Sequence, residues 1–197
     1  MDRRAVSKSR RAWLGLAVTG AGSALGAAAA EPRQATEPGK LLTDQDRFDI
    51  GERGPQMAER ARSLGREYEA KYGNCAQCTI AALQDSIEFL PKNEHLFLAA
   101  SCLHGGATAT GNANCGGFTG SGMVIGHLCG RSRDRFADRG AGKLAGKLIR
   151  EVAIQFEQTY GSVLCKEVRE KAAKNCPEVV ARAAGWAAEA LLKQFSS

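Results

Sequence analysis

Residues 114–126 read Asn-Cys-Gly-Gly-Phe-Thr-Gly-Ser-Gly-Met-Val-Ile-Gly, and the fold and the chemistry both turn on how this stretch is built. Cys115 stands at its head, and Gly116, Gly117, Gly120 and Gly122 follow within seven residues. Without Cβ atoms, that backbone can lie against whatever the sulfur holds. Met123, Val124, Ile125 and Leu128 then give an apolar run, while Gly116/Gly120 and Gly122/Gly126 stand at i,i+4, a spacing that lets a helix be approached closely by a neighbour. The same residues would also suit a tight turn into a buried helix around an inert cysteine. The other cysteines have to decide between the two.

Working outward, Leu144, Leu148, Ile149, Val152 and Phe156 give the clearest amphipathic helix, about 140–159, and Met57, Ala61, Leu64 and Tyr68 predict another over 56–71. Tyr72-Gly73-Asn74 breaks that helix, and Asn74 is placed to cap a second running to about Phe89 before Pro91. Asn93 caps a third covering Glu94 to Leu103, and a small, polar loop over 107–114 leads into the Cys115 box. Cys129 and Gly130 close the helix that follows, and a charged connection, RSRDRFADRG, leads on to 140. After Tyr160-Gly161-Ser162 a short helix is expected from Val163, and Asn175-Cys176-Pro177-Glu178 starts the last one, which continues through Leu191. Nothing alternates with period two over a useful length. The expected fold is all-α, a bundle of about six or seven helices over 56–197.

On this reading Cys75, Cys115, Cys165 and Cys176 share a placement, each at or just before a helix start. There, backbone N–H groups favour thiolate, which makes each a ready ligand or nucleophile. Cys78, one turn beyond Cys75, reads first as a core residue. His104 lies beside Gly105 and Gly106, where a ligand role competes with capping of helix carbonyls; His95 and His127 have no stronger case.

Cys115-Gly116-Gly117-Phe118-Thr119-Gly120 resembles the CGAxxG signature of the C-GCAxxG-C-C family of redox-active proteins, with Gly117 where the family usually has alanine. Cys75, within Gly73-Asn74-Cys75-Ala76-Gln77, and the downstream Cys165 and Cys176 fall where that pattern wants its other cysteines. The resemblance covers roughly 70–180. A related domain occurs in split-Soret cytochrome c beside c-type haem and an iron-sulfur centre. The resemblance therefore implies a redox role, with an iron-sulfur cluster as the expected cofactor, Cys75, Cys115, Cys165 and Cys176 as its ligands, and Gly116, Gly117 and Gly120 lining it. Haem is not expected, because Cys75 and Cys78 are followed by Thr79 where a haem-attachment sequence needs histidine. Two other readings stay open: a thiol-disulfide protein in an oxidising compartment, in which seven cysteines leave one unpaired, and a helical binding module held by structural zinc.

Composition narrows the rest. The chain has 197 residues, 44% of them hydrophobic, enough for an ordinary core. Its formal charge is +6, but five basic side chains and one acid fall in residues 1–30, which leaves 22 basic against 20 acidic beyond them. Nucleic acid is not an expected partner, since phosphate binding needs positive charge clustered on the folded domain. Ser9-Arg10-Arg11-Ala12-Trp13-Leu14 resembles the twin-arginine export consensus, and the Ala/Gly-rich stretch to Ala28-Ala29-Ala30 reads as a signal h-region with an AxA cleavage site. Residues 1–30 are thus expected to be a twin-arginine signal peptide, leaving a periplasmic protein with no membrane span after cleavage. Residues 31–55, with three prolines and no apolar period, read as a linker or loosely docked arm. That export route carries folded proteins and favours a cofactor inserted in the cytoplasm. No hydrolase or nucleotide motif is present, a homo-oligomer is left open, and the redox partner is not readable.

Overall fold

A computed structural model of the protein describes residues 40–197. The twin-arginine leader and the first part of the expected linker lie outside the described residues. Seven α-helices follow in order: α1 (Gly54–Tyr72), α2 (Cys75–Ser86), α3 (Glu94–Ala99), α4 (Gly116–Cys129), α5 (Lys143–Tyr160), α6 (Cys165–Lys171) and α7 (Cys176–Phe195). Among the described residues there is no strand, only two isolated bridges, Phe48 with Ser196 and Asn114 with Leu164. The all-α expectation holds.

The frame is the antiparallel pair of long helices, α1 and α7. Pro55 opens α1, where its missing N–H costs no helical hydrogen bond, and the helix buries Met57, Ala58, Ala61 and Gly65. Apart from Met57 these are small residues, and α7 meets Gly65 with Ala181 and Ala184, both buried. The axes can therefore come close: a Cβ at Gly65 would lie 3.1 Å from the Val180 carbonyl oxygen. Arg66 to Glu178 at 2.7 Å and Arg62 to Glu189 tie the exposed edge of the pair. Such exposed pairs contribute at most about 1 kcal/mol each.

Larger side chains fill the space between this pair and the rest. Helix α5 sends in Leu148, Val152, Phe156 and Tyr160, the stripe its periodicity predicts. Phe156 packs edge-on against Phe118 of α4 and Trp186 of α7, with ring centroids 5.7 and 5.3 Å apart. A fully buried aromatic ring of this kind stabilises the fold by roughly 2–3 kcal/mol.

Three local expectations are corrected, each because a tertiary contact overrides a local preference. Helix α2 ends at Ser86 rather than near Phe89, since Ile87 turns extended and sends Ile87, Phe89 and Leu90 into the core. The helix expected from Val163 starts at Cys165, because Val163 accepts a backbone hydrogen bond from Cys115 and Leu164 pairs with Asn114. The described part of the expected linker is docked. Leu42 and Ile50 are buried, Phe48 stacks on Phe89 at 4.5 Å, and the Phe48 N–H donates to the Phe195 carbonyl at 2.7 Å. Its apolar residues enter the core singly, so no periodicity betrays them.

Candidate functional site

Each of the four cysteines singled out in the sequence does stand at a helix start. Asn74 and Asn175 cap α2 and α7, their side chains accepting the N–H groups of Gln77 and Glu178 at 3.3 Å, so Cys75 and Cys176 are the first residues of those helices. Cys115 is itself the residue before α4, and Cys165 is the first residue of α6. Two loops hold Cys115 and Cys165 side by side. The Cys115 N–H donates to the Val163 carbonyl at 2.8 Å, and the Cys165 N–H to the Ala113 carbonyl at 2.9 Å.

The glycines of the box set how near the elements come. A Cβ on Gly116 would overlap the Cys75 sulfur, so only glycine lets the Cys115 end of α4 sit against the start of α2. One turn on, a Cβ on Gly120 would lie 2.6 Å from the Ala76 carbonyl oxygen. Gly117, the departure from the family's alanine, faces Ala183: a Cβ there would lie 2.9 Å from the Ala183 methyl. The loop after α3 closes over this arrangement with its backbone in the left-handed region at Gly105, Gly106, Ala107, Thr108 and Ala109. For the three non-glycine residues that conformation costs on the order of 1 kcal/mol each.

The result is a cavity of about 220 Å³ lined by all four sulfur-bearing residues, Cys75, Cys115, Cys165 and Cys176, together with Glu69, His104 and Arg169. Cys75, Cys115 and Cys165, forty and fifty positions apart in the chain, thus share one pocket with Cys176. Of the three histidines, only His104 lines it. The Cys115 side is nearly closed to solvent, at 4% exposure. All seven cysteines are free thiols. Among the described residues no three His, Cys, Asp or Glu side chains are drawn tightly enough together to hold a single metal ion.

The electrostatics correct one expectation. Helix starts were expected to favour thiolate, yet all four cavity thiols are pushed up from 9.0, because burial outweighs the amides at Cys75 and Cys115 and the guanidinium at Cys165 and Cys176. Cys115 goes highest, to about 12, through burial and then the neighbouring Cys75, while the Gly117 and Phe118 amides pull the other way. Cys75 is raised by burial, opposed by the Gly105 amide and reinforced by Glu69, Cys165 and Cys176. For Cys165 and Cys176 burial again leads, and the Arg169 guanidinium opposes it. At Cys115 the donors foreseen at a helix start, the Gly117 and Phe118 amides, are aimed at sulfur, whereas at Cys75 the amide comes from the loop at Gly105 and at Cys165 and Cys176 the opposing group is Arg169. They are outweighed as long as the thiols are buried among one another.

The remaining cysteines lie outside the cavity. The Cys78 thiol donates to the Gly73 carbonyl at 2.8 Å and is buried beside Cys75 and Val180, in keeping with a core role. The Cys129 thiol donates to the Ile125 carbonyl at 3.3 Å, and Cys102 is exposed. Sequence reasoning missed Glu69 and Arg169. Both sit among alternating charges on helix surfaces, and nothing local marks them as facing a pocket.

A cavity lined by four free cysteines at the meeting of several helices defines a cysteine-rich helical protein. One family model matches residues 73–190, a stretch that contains all four cavity cysteines; its description reads "Putative redox-active protein (C_GCAxxG_C_C)". With more than half of the chain matched, the protein belongs to this family. Comparison with curated proteins found no match, and comparison with solved structures found none either.

Proposed function

We propose that Cys75, Cys115, Cys165 and Cys176 together hold an iron-sulfur cluster or other iron centre, and that the protein transfers electrons or senses redox state. The observation that carries this reading is the convergence of four thiols, from four separate helix starts, on one cavity. The donor set suits such a group: thiolate is the usual ligand of iron-sulfur clusters, and Gly116 lets the start of α4 come against the Cys75 sulfur, while Gly117 and Gly120 make room for Ala183 and Ala76 rather than lining the cavity. Bound there, a cluster would supply a one-electron couple.

This chain's own residues would tune it. The amides of Gly105, Gly117 and Phe118 reach the sulfurs of Cys75 and Cys115 and would offset negative charge on them, which raises a cluster's potential. Arg169 does the same for Cys165 and Cys176. Because the thiols hold their protons at neutral pH, each would release one on loading, and occupancy should fall as the solution is acidified. The leader adds the proposal of export by the twin-arginine route after loading in the cytoplasm, and hence a periplasmic place of work.

The test is anaerobic purification from the cytoplasm, followed by a visible spectrum and a count of iron, acid-labile sulfide, zinc and free thiols. A brown protein with iron and sulfide is the expected result. A colourless zinc protein would replace this reading with a structural module, and a colourless metal-free one with six blocked thiols would replace it with a disulfide protein.

A further inference from the structure

Cys78 is a buried free thiol that the four-cysteine site leaves unused. It stands one turn beyond Cys75, so α2 opens on the sequence Cys-Ala-Gln-Cys. Cys75, Cys78 and Val180 pack as a buried group of their own, apart from the main core to which Cys115 belongs. Residues three apart on a helix have Cβ atoms about 5–6 Å apart, and a disulfide needs roughly 3.5–4.5 Å. The difference is small, and it falls in the turn best able to close it. Cys75 is the first residue of α2, and the helix's first hydrogen bond runs from the Cys78 N–H to the Asn74 carbonyl at 2.9 Å, where a helix end can tighten toward the 3-10 form. The two thiols differ in access: Cys75 lines the cavity, whereas Cys78 does not and gives its hydrogen to the Gly73 carbonyl.

From this spacing, shared packing and unequal access, we infer that Cys75 and Cys78 are a redox-active dithiol: Cys75 meets a small hydroperoxide in the cavity, and Cys78 then closes a reversible disulfide with it. The inference goes beyond the iron reading and concerns the chain without metal. With hydrogen peroxide, the Cys75 sulfur attacks one peroxide oxygen, an S–O bond forms, the O–O bond breaks, and water leaves with the thiol hydrogen, giving the sulfenic acid. The Cys78 sulfur next attacks the Cys75 sulfur, the S–S bond forms, the S–O bond breaks, and the departing hydroxide leaves as water with the Cys78 proton. Two thiols thus give up two electrons and two protons, and one peroxide becomes two waters. Burial holds both thiols protonated at neutral pH, so the bridge should form over minutes to hours rather than seconds.

The experiment takes the reduced, metal-free full chain carrying Cys102→Ser, which removes the exposed thiol, adds hydrogen peroxide, counts free thiols and locates any bridge by mass spectrometry of the digested protein. The six remaining thiols should fall to four, with Cys75 joined to Cys78, and dithiothreitol should restore both. Adding Cys78→Ser should halt the reaction at the Cys75 sulfenic acid, trapped by dimedone, with no bridge formed. Adding Cys75→Ser instead should leave Cys78 free. A bridge from Cys75 to Cys115, Cys165 or Cys176, a bridge that survives Cys78→Ser, or oxidation of Cys78 in the Cys75→Ser chain would overturn the pairing. So would a Cys78 that iodoacetamide still alkylates after peroxide treatment and unfolding. None of these outcomes touches the iron count of the untreated protein, so this inference and the iron reading fail separately.

Discussion

The two ends of α4 are made of the same residue types and are used in opposite ways. At the start, Cys115 precedes the helix with its sulfur toward a cavity and the Gly117 and Phe118 amides, and Gly116 and Gly120 are pressed against α2. At the far end, Cys129 gives its hydrogen to the Ile125 carbonyl one turn back, and a Cβ on Gly126 would meet nothing within 4 Å. Burial does not separate these ends, since both cysteines are buried and both thiols are pushed up, Cys115 to about 12 and Cys129 to about 11. What separates them is the polarity of the helix. At its start the free backbone groups are donors that reach the sulfur, whereas near its end the thiol gives its hydrogen to a helix carbonyl one turn back.

The largest test of that contrast is Gly116→Val. Its side chain would occupy the place of the Cys75 sulfur, so the variant should lose about 3 kcal/mol of stability and its capacity for iron, measured by denaturant melts and iron counts. Equal stability and iron content would break the comparison.

A smaller effect comes from pH on the metal-free protein. Cys78, Cys115 and Cys129 have folded values of about 12, 12 and 11, above the unfolded value near 9, so folding favours their protonated forms. The stability this gives is fully present below about pH 9 and is lost as pH rises toward 11–12, because the unfolded chain sheds these protons first. The melting temperature should fall steadily above pH 9, and Cys129→Ser should flatten the fall. A melting temperature constant from pH 8 to 11 would refute the assignment. The smallest effect is Gly126→Ala, which should stabilise by about 0.5–1 kcal/mol through helix propensity alone and leave iron uptake unchanged.

The contrast also explains which parts of the molecule the sequence discloses. Caps are local, so Asn74, Asn93 and Asn175 were readable, and with them the helix starts of Cys75 and Cys176. The stripe of α5 was readable because one helix face meets one core. The end of α2 and the docking of residues 40–53 were not, since Ile87, Phe89, Leu42 and Phe48 are held by contacts far away in the chain. The common cavity was a wager on geometry, made real by the Gly116 and Gly120 approach to α2 and by the backbone bonds joining 113–115 to 163–165. Glu69 and Arg169 carried no signal. On a helix surface a charge facing a pocket looks the same in sequence as one facing water.

The account's central claim is that four distant sulfurs act as one site, and a serine scan of all seven cysteines with iron and sulfide counted in each variant tests it most directly. Cys75→Ser, Cys115→Ser, Cys165→Ser and Cys176→Ser should each strip or deplete the centre, while Cys78→Ser, Cys102→Ser and Cys129→Ser should keep it. Iron content indifferent to Cys165 and Cys176, or as sensitive to Cys129 as to Cys115, would contradict it.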